Sequence, residues 1–125
     1  MSARLNHTIV WCRGKRKSAA FMADILGLAE PVPFGPMLVV QLDNGVSLDF
    51  YETNNAIASQ HYAFLISEED FDRVFSRICD RKIQYWSDPG QHHAGKINRE
   101  DGGRGLYFED PDGHLLEVIT KPYGG

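Results

Sequence analysis

The chain has 125 residues, a length typical of a single domain, and 42% of them are hydrophobic while 24% are charged. This composition is typical of a folded globular protein and excludes a largely disordered chain. The net charge of −4 gives no support for nucleic-acid binding, for which a basic domain is expected.

The two cysteines, Cys12 and Cys79, are too few for a disulfide framework or a cysteine-based zinc site. Both lie in apolar stretches, which favours buried, reduced thiols. The N-terminus has no apolar leader segment, and no apolar stretch approaches the ~18 residues that a membrane span needs. We therefore expect a cytoplasmic protein.

The first half of the chain predicts a strand, a helix and then more strands. "LNHTIVWC" alternates with period two, so that His7 lies on one face with Leu5 and Ile9. A helical spacing of apolar residues follows from about residue 15 to residue 26, and Gly27 is a plausible stop. A short strand around 32–34 then precedes "MLVVQL" and "VSLDFYE", which an Asn-Gly hairpin signal separates.

The second half repeats this order. "HYAFLI" predicts a buried strand, and Ser67 caps a helix that opens with three acids, which suit the positive end of the helix dipole. A third strand is expected around 83–86, followed by the long loop "SDPGQHHAGKINREDGGRG". Two final strands, "LYF" and "HLLEVIT", flank a turn over 110–113.

This repetition predicts an α+β fold of two paired β-α-β-β-β modules that form a curved mixed sheet around a cavity. We expect one domain over 1–125, with module 1 at about 1–55 and module 2 at about 60–123. A cavity between paired sheets is a natural place for a functional site.

Four polar side chains occupy matching places in the two modules, near the first strand and in the last strand of each. They are His7, Asp49, His61 and Glu117. Strand parity places each of them opposite a more apolar row, so all four can face the cavity. An ionised Glu117 among leucine, valine and isoleucine is costly without a cation, which either a basic side chain or a metal ion supplies.

The sequence resembles the vicinal oxygen chelate superfamily, which contains glyoxalase I, fosfomycin-resistance thiol transferases, extradiol dioxygenases and bleomycin-resistance proteins. The resemblance rests on "LNHTIV", "QHYAFLI" and above all "YFEDPDGHLLE". It implies His7, His61 and Glu117 as metal ligands. Asp49 stands where glyoxalase I carries a fourth ligand, a glutamate that is one methylene longer. Tyr107 stands where the fosfomycin enzymes carry a tyrosine near bound substrate.

The resemblance implies a small metalloenzyme, a homodimer, in which Glu117 and Tyr107 are catalytic. A divalent Fe, Mn, Zn or Ni ion would chelate oxygens of a small-molecule substrate and stabilise developing negative charge. Glyoxalase-like lyase or isomerase activity, dioxygenase activity and thiol transfer all stay open. The alternatives are a metal-free protein that binds a small molecule, as bleomycin-resistance proteins do, and a structural role in which Glu117 pairs with a basic residue.

Four further residues are weaker candidates for contacts with substrate. His92 and His93 could act from the long loop, and Arg99 and Arg104 could hold an anionic substrate. His114 has the opposite strand parity to Glu117, so we expect it to lie away from the metal.

Overall fold

A computed structural model describes residues 1–122 of the chain and divides it into two compact units, Met1–Ile57 and Ala58–Gly125. Residue 123, at which the predicted second module ends, lies outside the described residues. No helix in the described part of the chain has the length and apolar character needed to cross a membrane.

Unit 1 contains four strands and one helix. They are β1 (His7–Cys12), α1 (Lys15–Leu26), β2 (Val32–Phe34), β3 (Met37–Gln41) and β4 (Ser47–Glu52). The strands form one sheet in the order β1-β4-β3-β2, with β1 parallel to β4 and the other neighbours antiparallel. Gly27 ends α1 in the left-handed region at φ 68°, as the sequence predicts.

Unit 2 repeats this arrangement. Its elements are β5 (His61–Leu65), α2 (Glu68–Asp80), β6 (Tyr85–Trp86), β7 (Gly105–Glu109) and β8 (Leu115–Ile119). The sheet order is β5-β8-β7-β6, with β5 parallel to β8. Ser67 caps α2 by accepting a hydrogen bond from the Asp70 N–H at 3.0 Å.

Strand β6 is shorter than the sequence predicts, because it begins at Tyr85 rather than at Ile83. The Ile83 N–H donates to the Ile78 carbonyl at 3.0 Å, and Lys82 adopts a positive φ of 56°. These two features close the end of α2, so residue 83 belongs to the helix terminus. The fold class itself is confirmed: two β-α-β-β-β modules of an α+β protein.

The two faces of each sheet differ in burial as strand parity predicts. In unit 1 the buried row includes Val10, Leu48 and Phe50, whereas His7 and Ile9 on the opposite row of β1 are exposed. In unit 2 Leu116 and Val118 are fully buried. Each sheet therefore has one row that forms the core and one row that is available for a site.

The turn between β7 and β8 is organised by the side chain of Asp110. Its Oδ1 accepts hydrogen bonds from the N–H groups of Asp112 at 2.9 Å and His114 at 2.8 Å. Its Oδ2 is buried without a hydrogen-bond partner among the described residues. Burial raises the pKa of the Asp110 carboxyl above its ordinary value.

His114 also stabilises the turn between β7 and β8. Its imidazole is buried, and its Nδ1 lies 3.1 Å from the Gln60 N–H, which donates to it. The ring also meets Tyr62 edge-on, with centroids 5.8 Å apart. His114 thus joins the β7–β8 turn to the segment that precedes β5.

We expect Asp110→Asn and Asp110→Ala to differ sharply in stability. The asparagine keeps an Oδ1 acceptor for both N–H groups and removes the buried charge, so its melting temperature at pH 7 should equal or exceed that of the parent. The alanine leaves both N–H groups unpaired and should lose about 1–3 kcal/mol.

The raised pKa fixes the sign of the pH dependence. Because folding raises the pKa, ionisation of Asp110 lowers stability as the pH rises, and this loss disappears in acid. Urea unfolding from pH 7 to pH 4 should therefore show the advantage of Asp110→Asn shrinking as the pH falls. A constant difference between the asparagine variant and the parent would contradict this account.

Candidate metal centre and substrate groove

In unit 2 the parallel pairing of β5 with β8 places His61 against Glu117. Glu117 lies in the middle of β8 and is only 1% exposed, whereas the His61 side chain at the start of β5 is 43% exposed. The His61 Nε2 lies 3.1 Å from the Glu117 Oε1. The imidazole thus reaches solvent while the carboxylate beside it is buried.

The hydrogen bond of the His61 Nδ1 determines whether Nε2 carries a proton or a lone pair toward the Glu117 carboxylate. The His61 Nδ1 lies 3.0 Å from the Leu115 carbonyl oxygen, which can only accept, so Nδ1 carries the proton and donates it. In the neutral ring, Nε2 then directs a lone pair at the Glu117 oxygen. Two acceptors that face each other need a cation between them, either a proton or a metal ion.

The spacing of these two atoms suits a metal ion. Ligand atoms at about 2.0–2.2 Å from one ion, in tetrahedral or octahedral geometry, lie roughly 3.0–3.5 Å apart. The donation from Nδ1 to a backbone carbonyl is the usual way in which proteins orient a metal-binding imidazole. His61 and Glu117 therefore have the donor atoms, the separation and the orienting hydrogen bond expected of two ligands of one metal ion.

Tyr107 packs against this pair. It lies on β7 directly opposite Glu117 in the strand register, and its ring is stacked on that of His61 with centroids 5.9 Å apart. It is 7% exposed. The phenol ring thus supports the His61 imidazole from one side.

His7 in unit 1 repeats the hydrogen-bonding pattern of His61. Its side chain is exposed at the start of β1, and its Nδ1 lies 2.7 Å from the Asn6 Oδ1. Donation from Nδ1 to this acceptor again leaves the lone pair on Nε2. Both histidines are thereby prepared to bind a metal through the same nitrogen.

Asp49 lies on the same face of the sheet as His7. In the register of β1 with β4, His7 pairs with Ser47 and Ile9 pairs with Asp49. Asp49 is 5% exposed and accepts a hydrogen bond from the Ser47 hydroxyl at 3.0 Å. The acid is therefore held in place by a neighbour on its own strand.

His7 and Asp49 line a groove of about 620 Å³ that lies within unit 1. Four apolar side chains of β2 and β3 line it: Val32, Phe34, Met37 and Val39. His7, Ser47 and Asp49 also line it. Its volume lies in the range that small-molecule ligands occupy.

The structure therefore brings the four predicted site residues together in two pairs. His61 contacts Glu117 in unit 2, and His7 and Asp49 line one groove in unit 1. Over residues 1–122, no three His, Cys, Asp or Glu side chains cluster closely enough to hold a metal ion.

Arg104, a candidate for binding an anionic substrate, is instead held by acids. Its guanidinium lies 2.7 Å from the Glu68 carboxylate and 2.9 Å from that of Asp72, and it stacks 4.4 Å from the centroid of the Phe71 ring. The hydrogen bond that Arg104 donates to Glu68 raises the pKa of Arg104 above its ordinary value. This side chain joins α2 to the start of β7.

The two loop histidines contact the neighbouring acid, Asp88. The backbone N–H groups of His92 and His93 donate to the Asp88 carboxylate at 3.0 Å and 2.9 Å, which organises the loop. The His92 side chain is 79% exposed. Their imidazole roles in contacting substrate stay a prediction.

The sequence pattern of the Glyoxalase/Bleomycin resistance protein/Dioxygenase superfamily matches residues 4–118. The chain belongs to this superfamily.

Relatives within the superfamily differ in their named activities. The chain is 30% identical to "Glutathione transferase FosA" of Serratia marcescens, over 100% of this chain and 94% of that protein. It is 55% identical to the solved "Oxidase ChaP-H1", with a TM-score of 0.97 over 99% of this chain and 100% of that one. "Oxidase ChaP-H2" is also 55% identical, with a TM-score of 0.96 over 100% of this chain and 98% of that one.

Sequence reasoning missed the residues that orient the site. Asn6 could have been found, because an amide next to a predicted histidine ligand is a natural hydrogen-bond partner. The Leu115 carbonyl could not, because its contact with His61 depends on the register of β5 with β8.

We expect Glu117→Gln to raise the melting temperature of the protein in chelator. The glutamine amide can donate to the His61 Nε2 lone pair, which the carboxylate cannot do, and a repaired buried contact is worth about 1–3 kcal/mol. For a domain of this size each kcal/mol raises the melting temperature by about 2–8 °C.

Added divalent metal should reverse the order of the two proteins. The parent should gain stability by ligand binding, while Glu117→Gln should gain little. Differential scanning fluorimetry with and without metal measures both arms. A glutamine variant that is less stable than the parent in chelator would contradict the facing lone pairs.

Proposed function

We propose that the protein is a metal-dependent enzyme that acts on a small organic molecule. His61 and Glu117 hold a divalent Fe, Mn, Zn or Ni ion together with His7, and a second copy of the chain or the same chain supplies this third ligand. Asp49, the fourth ligand predicted from the sequence, stays a prediction. One observation carries the proposal: the His61 Nε2 lies 3.1 Å from a buried carboxylate oxygen, while its Nδ1 lies 3.0 Å from a backbone carbonyl.

The donor set fits the group that the superfamily implies. Two imidazole nitrogens and one carboxylate oxygen suit Fe, Mn, Zn and Ni and leave coordination positions open for substrate. A divalent ion bound there would supply Lewis-acid stabilisation of substrate oxygen atoms. This donor chemistry supports the proposed site independently of the family.

The protein's own residues have distinct tasks in this scheme. The Leu115 carbonyl and the Asn6 amide fix the rings of His61 and His7, so that each offers Nε2. Glu117 provides a buried carboxylate beside the His61 ring. Tyr107, stacked on His61, limits the movement of that ring and offers a phenol hydroxyl for contact with substrate.

Oxidation of a small substrate is the reaction class that we favour. The support is the 55% identity, over nearly all of both chains, to two proteins named as oxidases. Thiol transfer is the second candidate, supported by the 30% identity to a glutathione transferase. Metal-free binding of a small molecule, the other alternative from the sequence, leaves the His61–Glu117 contact without a purpose.

A homodimer and a cytoplasmic location complete the proposal. Several large apolar side chains stay exposed in this chain, among them Leu5 at 67% and Leu65 at 60%, which a second copy could cover. Cys12 is buried as predicted, whereas Cys79 lies exposed near the end of α2, so the predicted burial is wrong for Cys79. Neither forms a disulfide within residues 1–122, which is typical of a reducing compartment. Light scattering in solution tests the first of these expectations.

We expect His61→Ala and His7→Ala to lower metal affinity strongly, as measured by calorimetric titration of Zn(II) or Mn(II) into chelator-treated protein. Asn6→Ala should weaken binding about 10- to 100-fold, because it removes the hydrogen bond that orients His7. Asn54→Ala, an exposed asparagine outside the site, is the matched control. Unchanged metal affinity in both histidine variants would overturn the proposed centre.

Co-expression of His7→Ala with His61→Ala distinguishes the two sources of the third ligand. If the ligand comes from a second copy, the mixed dimer recovers one intact site out of two. If all ligands come from one chain, it recovers none.

Activity assays separate the two reaction classes. We expect oxygen consumption by the Fe(II)-loaded protein with a catechol or another phenol, measured with an oxygen electrode. The thiol transferase alternative predicts a glutathione conjugate of fosfomycin by mass spectrometry. Glu117→Gln should abolish either activity.

A further inference from the structure

The groove of unit 1 carries two acidic side chains, Glu30 and Asp49. Glu30 follows α1 and is exposed, whereas Asp49 is buried on β4. Within residues 1–122, no lysine or arginine lines the groove. The nearby Lys15 directs its ammonium group to the Pro36 carbonyl at 2.8 Å and is not part of the lining.

Two of the polar side chains that line the groove, Ser47 and Gln41, already use their donors within the fold. The Ser47 hydroxyl donates to Asp49, and the Gln41 amide donates to the carbonyls of Leu42 and Val46 at 3.3 Å and 3.2 Å. An anionic ligand needs donors or cations, because it presents only acceptor atoms. The groove offers an acceptor, the Asp49 carboxylate, in their place.

The apolar wall of the groove is built from cross-strand pairs of β2 and β3. In the register of β2 with β3, Val32 pairs with Val39 and Phe34 pairs with Met37. Val32 is 62% exposed and Phe34 is 69% exposed. Cross-strand pairs on one sheet face form a continuous surface, which a planar apolar ligand can cover.

We infer that this groove selects a neutral, largely apolar and planar molecule with a hydroxyl group, and that Glu30 and Asp49 reject anions such as phosphonates. The inference rests on the proposed function only in naming the substrate class of that site. The apolar body lies on the β2–β3 wall, and the hydroxyl donates to Asp49. In the metal-free protein an anion would meet two negative charges in a groove that no lysine or arginine lines.

A matched pair of fluorescent probes tests this selectivity. At pH 7, 2-naphthol is neutral, and 2-naphthalenesulfonate carries one negative charge on the same ring system. Titration of each into chelator-treated protein keeps metal binding out of the measurement. We expect 2-naphthol to bind at least about tenfold more tightly, a difference of ~1.4 kcal/mol.

Three charge variants test which acidic residues cause the discrimination between the two probes. Glu30→Gln and Asp49→Asn should each reduce the ratio of the two affinities, 2-naphthol over 2-naphthalenesulfonate, mainly by strengthening sulfonate binding. Added salt should reduce this ratio as well. Asp24→Asn removes an exposed charge on α1, outside the groove lining, and should leave the ratio unchanged. Phe34→Ser should weaken both probes because both use the apolar wall.

Three results would overturn the inference: similar affinities for the two probes, no binding of 2-naphthol, or a ratio that stays constant in both groove variants. Glu30→Gln is at an exposed position, so it tests the idea even if Asp49→Asn fails to fold. Metal affinity measured on the same preparations shows separately whether the proposed metal centre stands.

Discussion

In each unit the first strand runs parallel to the last strand, and this pairing sets the position of the site. A parallel pair requires a crossover through a helix, which covers one face of the sheet and leaves the other open. In unit 2 the register joins Ala63 to Glu117 and His61 to Leu115. One pairing therefore supplies both the Glu117 neighbour of His61 and the carbonyl that fixes its ring.

Burial of the Glu117 carboxylate is unfavourable for the free energy of folding. Its neighbours Leu116 and Val118 on β8 are fully buried, and burial of a charge is unfavourable unless a cation compensates it. The facing imidazole of His61, with its proton held at Nδ1 by Leu115, does not compensate the charge in its neutral form. A buried carboxylate kept at such a cost is typical of a site arranged for a ligand.

Much of this arrangement could be predicted from periodicity. The alternation in "LNHTIVWC" assigns His7 to the row opposite Val10, and the capping pattern after Ser67 locates α2. The duplication supplies the module order. The start of β6 could not be predicted, because the Ile83 N–H is used by the end of α2, and a helix terminus with a positive φ at Lys82 leaves no signal in the apolar pattern.

The hydrogen bonds that orient the candidate site could not be predicted from the sequence, for a different reason. The proton position on His61 depends on which backbone carbonyl lies beside Nδ1, and that depends on the strand register to within one residue. Arg104 illustrates the same limit. A glycine-rich context suggests an accessible cation, whereas the fold places it between Glu68 and Asp72.

The donor set and the groove carry different information about specificity. Two imidazoles and a carboxylate leave net positive charge on a divalent ion, which attracts oxygen atoms of many substrates. Discrimination among substrates must then come from the surface around the ion. In unit 1 the groove that His7 lines is acidic and apolar, through Glu30, Asp49 and the β2–β3 wall. Charge selection by Glu30 and the apolar wall can therefore vary without any change in His7, His61 or Glu117, because none of the three proposed ligands forms that part of the groove.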